Sequence, residues 1–267
     1  MLKLEYHRGL FLGSLFKTFI MKLIYFRNYE TIDQNMSESN IGGRKGRNCR
    51  DHVFIVNGAI QDALSSRSTK PLDLFVCDYK TMFDGMDIKT TLNDVYDNGV
   101  KDDTFALIYK LYETSNVAVK TPMGLTKRRQ VDREIITQGD CLGPILASSS
   151  VDTFGKECYQ KQKHLYWYRN QTPLSVLSMI DDVFAISNCG PESLQIQEFL
   201  NIKTGSKKLQ YATDKTFCMH IGKKNPAFKC ENSYIDSWTQ TKSSQTMFKE
   251  TYEGRIKVKQ AFQTKYL

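Results

Sequence analysis

The sequence predicts an α+β fold, and three observations carry that reading. Short apolar runs end in acids or lie on either side of them: LDLFVCD at 72–78, LSVLSMI at 174–180 and VFAIS at 183–187. Elsewhere apolar residues recur at helical spacing, as Phe54, Ile55, Ala59, Ile60, Ala63 and Leu64 do. A balance of 40% hydrophobic and 25% charged residues over 267 positions belongs to a chain with a real core, and not to a disordered one.

Taken in order, residues 10–26 (LFLGSLFKTFIMKLIYF) read as a buried amphipathic helix. Lys17 and Lys22 interrupt this run, and it falls short of the roughly 20 apolar residues that a membrane span needs. No small-residue cleavage site follows it, so no signal peptide and no membrane segment are expected, and nucleus or cytoplasm is the expected location. The polar stretch 35–51 places Arg44, Lys45, Arg47 and Arg50 around three glycines. Such a loop suits a phosphate backbone, and equally a solvated basic turn.

A helix is expected at 52–65, and SSRSTKP then reads as a connector. The run 72–78 predicts a buried strand whose last residue, Asp78, emerges at a sheet end. Helices are expected at 87–98 and 102–114, on either side of DNGVKDD. Strands at 116–121 and 130–137 are expected around a turn at Pro122–Gly124, with Lys127, Arg128 and Arg129 in the link. After the turn QGDCLGP a long helix should run over 144–163. The runs 174–180 and 183–187, separated only by Asp181 and Asp182, predict a hairpin with carboxylates at its tip. A helix at 191–202 and strand-like pieces near 207–211 and 217–221 follow, and beyond about 222 the pattern weakens.

A net charge of +8 favours an acidic partner, nucleic acid first and an anionic membrane surface second, and is also compatible with a basic protein that binds no polyanion. Seven cysteines stand at 49, 77, 141, 158, 189, 218 and 230. Their number is odd and no CxxC pair occurs, so neither a disulfide framework nor a zinc site is expected. Cys218, His220 and Cys230 match no standard ligand spacing.

The acids carry the chemistry. Carboxylates are costly to bury unless something positive holds them. If the strand ending at Asp78 neighbours the hairpin around Asp181 and Asp182, three carboxylates converge. Oxygen donors select a hard cation, so magnesium is expected, with manganese as a substitute. Two such ions about 3.5–4 Å apart form the clamp used for in-line phosphoryl transfer. The plain alternative is that Asp181–Asp182 simply makes a tight turn.

Four pieces occur in the order of reverse transcriptase motifs A to D: DYKTMFD at 78–84, QGDCLGP at 138–144, MIDD at 179–182 and DKT at 214–216. RGL at 8–10 and SNIGGRKGRNCRDH at 39–52 resemble the fingers region of non-LTR, LINE-type retrotransposon polymerases, and the resemblance covers essentially the whole chain. It implies a right-hand polymerase fingers–palm with an antiparallel palm sheet backed by helices and with the thumb missing. The fingers portion would be 1–70 and the palm 71–232, with a fingers-side hairpin at 116–140. The start of the palm–thumb junction would be 233–267.

The resemblance also implies roles. Asp78, Asp181 and Asp182 match the catalytic, metal-binding aspartates, and Tyr79 would add its backbone carbonyl as a ligand. Two Mg2+ ions, or Mn2+, are the implied cofactors. Arg8 matches a triphosphate clamp, and Phe83 the aromatic that excludes a 2′-hydroxyl. Gln138 and Gly139 match the turn against the incoming dNTP, and Lys215 a candidate general acid. Arg44, Lys45 and Arg47 would contact the template. An RNA template, a DNA primer and dNTPs are thus the implied partners.

The chain departs from the family pattern at Met179 and Ile180, where an aromatic residue and alanine are usual, at Met82, usually alanine, and at Gly143, usually serine. The family's remaining fingers hairpin, thumb and endonuclease are not expected within this sequence. Two further readings stand beside the reverse transcriptase. One is an inactive retroelement remnant that at most binds nucleic acid. The other is an RNA-templated RNA polymerase, which Phe83 argues against.

Overall fold

The computed structural model describes residues 13–65, 71–113, 116–130, 136, 139–212 and 215–221. Two helices come first, α1 (Leu15–Asn35) and α2 (Cys49–Leu64), then strand β1 (Leu72–Asp78). Three helices follow: α3 (Met82–Gly85), α4 (Ile88–Asp97) and α5 (Asp102–Glu113). Four two-residue strands come next: β2 (Asn116–Val117), β3 (Lys120–Thr121), β4 (Gly124–Leu125) and β5 (Arg129–Gln130). The remainder is α6 (Gly143–Gln160), β6 (Tyr166–Tyr168), β7 (Thr172–Leu174), β8 (Val176–Met179), β9 (Asp182–Asn188), α7 (Pro191–Ser206) and β10 (Phe217–Ile221).

Four strands make the central sheet, in the order β10-β1-β9-β8, with every neighbour antiparallel. The expected adjacency is present: β1 pairs along its whole length with the second strand of the 174–187 hairpin. Alternation along β1 gives the sheet two different faces. Phe75 and Cys77, with Val183 and Ala185 of β9, pack into the larger core with Leu92 and Val95 of α4, Leu146 and Phe154 of α6 and Ile196 of α7. Leu72 and Leu74, with Phe184 and Ile186, pack under Val56, Ala59, Ile60 and Ala63 of α2 and Tyr166 of β6.

Capping explains where α2 begins. Asn48 accepts from Arg50 N at 2.8 Å, and Asp51 accepts from Asn48 N at 3.0 Å, a reciprocal box that starts the helix three residues before the expected position. Within α2, His52 is 1% exposed, and its Nε2 stands 3.0 Å from the Ser39 carbonyl oxygen. Burial lowers its pKa from 6.5 to about 4. The unfolded chain therefore binds a proton between pH 6.5 and 4 that the folded chain refuses. Stability is expected to be full above pH 6.5 and to fall by up to about 3 kcal/mol as the pH drops to 4. Denaturant melts across that window should show the loss, and His52→Gln, which keeps a donor for Ser39, should flatten it.

Several expectations change. Helix α1 starts later and runs further than 10–26, and it is only partly buried. Met21, Ile24, Tyr29 and Ile32 face the core, whereas Leu15, Phe16, Phe19 and Phe26 are exposed, because two apolar stripes share one helix. In place of strands at 116–121 and 130–137 there are the short pairs β2–β5 and β3–β4, and residues 131–135 and 137 lie outside the described ones. The hairpin β6–β7 had no expectation. The piece at 207–211 contributes only a bridge between Tyr79 and Tyr211. No described helix is long and apolar enough to cross a membrane.

Candidate active site

Asp78 is the last residue of β1, and Asp182 is its partner in register on β9. Met179 pairs with Asp182, so the turn residues are Ile180 and Asp181 and not the two acids expected at the tip. Asp181 sits in the turn, and Asp182 opens the strand. Partners in register share a face, with Cβ atoms about 4.5–5.5 Å apart. Like charges directly opposite destabilise a ladder, so packing alone gives no reason to keep Asp78 facing Asp182. Asp78 is 8% exposed, and Asp181 and Asp182 are half-buried.

The donor set of the three carboxylates is all oxygen, which fits Mg2+ or Mn2+ and suits no soft cation. Among the described residues only Asp73, Cys189 and His220, at the other end of the sheet, bring three potential metal-ligand atoms within 4.8 Å of one another. The carboxylates of Asp78, Asp181 and Asp182 therefore do not all lie within 4.8 Å of one another.

The Lys215 Nζ stands 3.4 Å from Asp78 Oδ2, with its side chain 60% exposed. Tyr79 is buried, stacked on Tyr211 with ring centroids 5.4 Å apart. Burial raises its phenol pKa well above the ordinary value, so the hydroxyl stays protonated within the core. Phe83, in α3, packs partly buried against the larger core. Arg8 and Gln138 lie outside the described residues.

No family model and no curated protein matches the sequence. Solved structures do. Apo telomerase from Candida tropicalis, truncated from its C-terminal domain, aligns over 77% of this chain and 41% of its own, with a TM-score of 0.52 and 13% identity. Telomerase from Candida tropicalis in complex with a TWJ fragment of telomeric RNA aligns over 78% of this chain and 34% of its own, with a TM-score of 0.50 and 12% identity. The chain resembles telomerase in fold. It spans well under half the length of each of those telomerase chains.

Within this telomerase-like fold the glycine-rich basic loop is part of the sheet edge. Ile41 N donates to the Ser178 carbonyl at 3.0 Å, and Ser178 N donates to the Ser39 carbonyl at 2.9 Å. Asn40 Nδ2 donates to the Ser148 carbonyl at 2.8 Å, and its Oδ1 accepts from Gly42 N and Ser148 Oγ. The expectation for Arg44 needs correction. Its guanidinium is 4% exposed and donates to Asp33 Oδ1 at 2.6 Å and to the carbonyls of Asp33, Ser37 and Asn40. Those internal bonds leave Lys45 and Arg47 as the exposed cations expected at a template. Lys45 lies over the Tyr29 ring at 4.7 Å, and Arg47 pairs with Glu38.

Three supporting residues escaped the sequence reading. Asp140, next to Gly139, accepts from Leu142 N at 2.9 Å, Gly143 N at 2.5 Å and Tyr112 Oη at 2.7 Å, and so caps the start of α6. Gly139 itself has φ +111, a conformation that suits glycine. Asp152, whose side chain is fully buried, accepts from Ser37 N at 3.0 Å and pairs with Lys156 at 3.0 Å. Asp94 of α4 accepts from Ser150 Oγ and Lys207 Nζ, joining α4, α6 and the end of α7. Asp140, two residues before the N-cap Leu142 of α6, was a readable signal for a helix start, whereas the other two depend on partners far along the chain.

Proposed function

We propose that the chain is the fingers–palm portion of an RNA-directed DNA polymerase of the non-LTR, LINE-type class, adding dNTPs to a primer 3′-hydroxyl. The observation that carries this reading is the register pairing of Asp78 with Asp182, with Asp181 in the adjoining turn. The telomerase-like fold supports it, and one such telomerase structure holds telomeric RNA.

Asp78, Asp181 and Asp182, with the Tyr79 carbonyl, would hold two Mg2+ ions. When bound, these ions would activate the primer hydroxyl and stabilise the departing pyrophosphate. The protein's own part is positioning and charge placement. Lys215 stands beside Asp78 and is exposed, so it can turn to hand a proton to the leaving pyrophosphate. Phe83 would sit against the sugar and reject a 2′-hydroxyl. Gly139 would let the incoming nucleotide approach the backbone, with Gln138 beside the base and Arg8 on the triphosphate. Lys45 and Arg47 would track the template phosphates.

Primer extension on an RNA template with Mg2+ tests the reading. The original chain should extend the primer, and Asp181→Ala/Asp182→Ala should not. Equal signal from both, or none above background from the original chain, overturns it.

One observation favours a second reading, in which the chain binds template and primer without turnover. Ile180, where the family has alanine, sits at φ +57, a conformation that costs a β-branched residue roughly 1–3 kcal/mol. Under this reading a filter-binding assay detects the template–primer duplex and extension stays at background.

A further inference from the structure

The acids account for one end of the sheet, and a different polar cluster lies at the other. Asp73, at the start of β1, faces His220 of β10 on one side and Ser187 of β9 on the other, in register with both. It belongs to the odd-numbered face of β1, with Phe75 and Cys77, which the larger core covers. Cys189 stands two residues beyond Ser187, immediately after β9, and its backbone N donates to the Pro71 carbonyl at 3.0 Å.

A carboxylate in this position is expensive without compensation. The Asp73 side chain is 5% exposed, and His220 Nδ1 stands 2.7 Å from its Oδ1. That one contact does not complete the cluster. His220 Nε2 and the Ser187 hydroxyl are both buried and have no hydrogen-bond partner. Buried polar atoms are paired in almost all cases, so two orphans beside one carboxylate call for an explanation. The ligand atoms of Asp73, Cys189 and His220 lie within 4.8 Å of one another. Tetrahedral coordination at about 2.0–2.3 Å puts donor atoms roughly 3–4 Å apart, so shifts of about an ångström would close the set on an ion.

We infer that Asp73, Cys189 and His220 form a binding site for a thiophilic divalent cation, zinc by its donor chemistry. A thiolate, an imidazole and a carboxylate suit zinc and leave a fourth position open. Magnesium is excluded from this site by the sulfur and nitrogen donors, as zinc's soft ligands are absent from the acid trio. The proposed site departs from the expectation, drawn from spacing alone, of no zinc. Among the described residues its thiol is Cys189 and not Cys218. The ion's structural effect follows from the register: it would tie β9 and β10 to β1, and so hold β10, which follows Lys215, against the central strand.

Cobalt(II) titration of the whole chain provides the test, because a cobalt–thiolate bond gives a near-ultraviolet charge-transfer band that carboxylates alone cannot produce. One equivalent should bind with that band. Cys189→Ser should abolish the band, and Cys218→Ser should leave it. Asp73→Asn and His220→Gln should each weaken binding at least tenfold. Zinc should also protect Cys189 of the unaltered chain from alkylation, as read by peptide mapping, a measurement that needs no variant to fold. No band, a band that survives Cys189→Ser, or equal alkylation of Cys189 with and without zinc overturns the site.

Discussion

Asp78→Asn is expected to slow nucleotide addition by on the order of 10³-fold or more, about 4 kcal/mol of transition-state stabilisation, with the fold intact. Asparagine has nearly the same shape and leaves the backbone pairing of β1 with β9 unchanged. The Asp78 carbonyl goes on accepting from Ala212 N at 2.8 Å. The variant removes one negative charge from a pair set face to face, so the ladder loses a repulsion. It also removes the contact with Lys215, but that ammonium is largely exposed, and such pairs contribute only about 0–1 kcal/mol. The melting temperature should therefore hold or rise slightly while the rate collapses. Single-nucleotide addition at saturating Mg2+, measured beside thermal melts, separates the two effects. A rate within tenfold of the original would remove Asp78 from the chemistry.

Gly42→Ala is expected to destabilise the protein by about 1–3 kcal/mol and to depress nucleotide addition further than the lost stability explains. A Cβ at this position would lie 2.5 Å from Ser148 Oγ, 2.6 Å from Ile180 N and 3.1 Å from Ile180 Cγ1. None of these neighbours yields easily. Ser148 Oγ is held by its bond to Asn40, and Ile180 N belongs to the backbone of the turn that carries Asp181. Relief must come from moving the turn, and with it the acid. Gly43→Asn is the matched comparison: Gly43 has φ +71, which asparagine tolerates, and its nearest neighbours lie 3.9 Å away. It should cost little stability and leave the rate unchanged. If Gly42→Ala melts and extends like the original chain, the loop does not buttress the turn.

Some elements were legible in full. The strands 72–78 and 217–221 have the bounds their apolar runs suggest, and helices 88–97, 102–113 and 143–160 fall within a few residues of expectation. A dense apolar run or a helical stripe is a local signal, and the core rewards it wherever it lies. The region 116–137 was not legible, because two-residue strands carry too little alternation to set a pattern. The hairpin was anticipated, but its turn was displaced by one residue. Met179 pairs with Asp182 while Ile180 takes the positive φ, a choice made by pairing across the strands and by contact with Gly42, and not by turn propensity. Arg44 was misread for a related reason: a basic residue among glycines looks solvated until Asp33 and three carbonyls are found around it.

By itself the sequence determined that Asp78 ends a buried strand and that Asp181 and Asp182 lie where two strands turn back on each other, since these depend on spacings of a few residues. Only the tertiary structure decided that Asp78 faces Asp182, that Gly42 touches Ile180, and that Asp73 meets His220 and Cys189. Register between distant strands depends on how both faces of the sheet pack at once, and no short stretch of sequence contains that information.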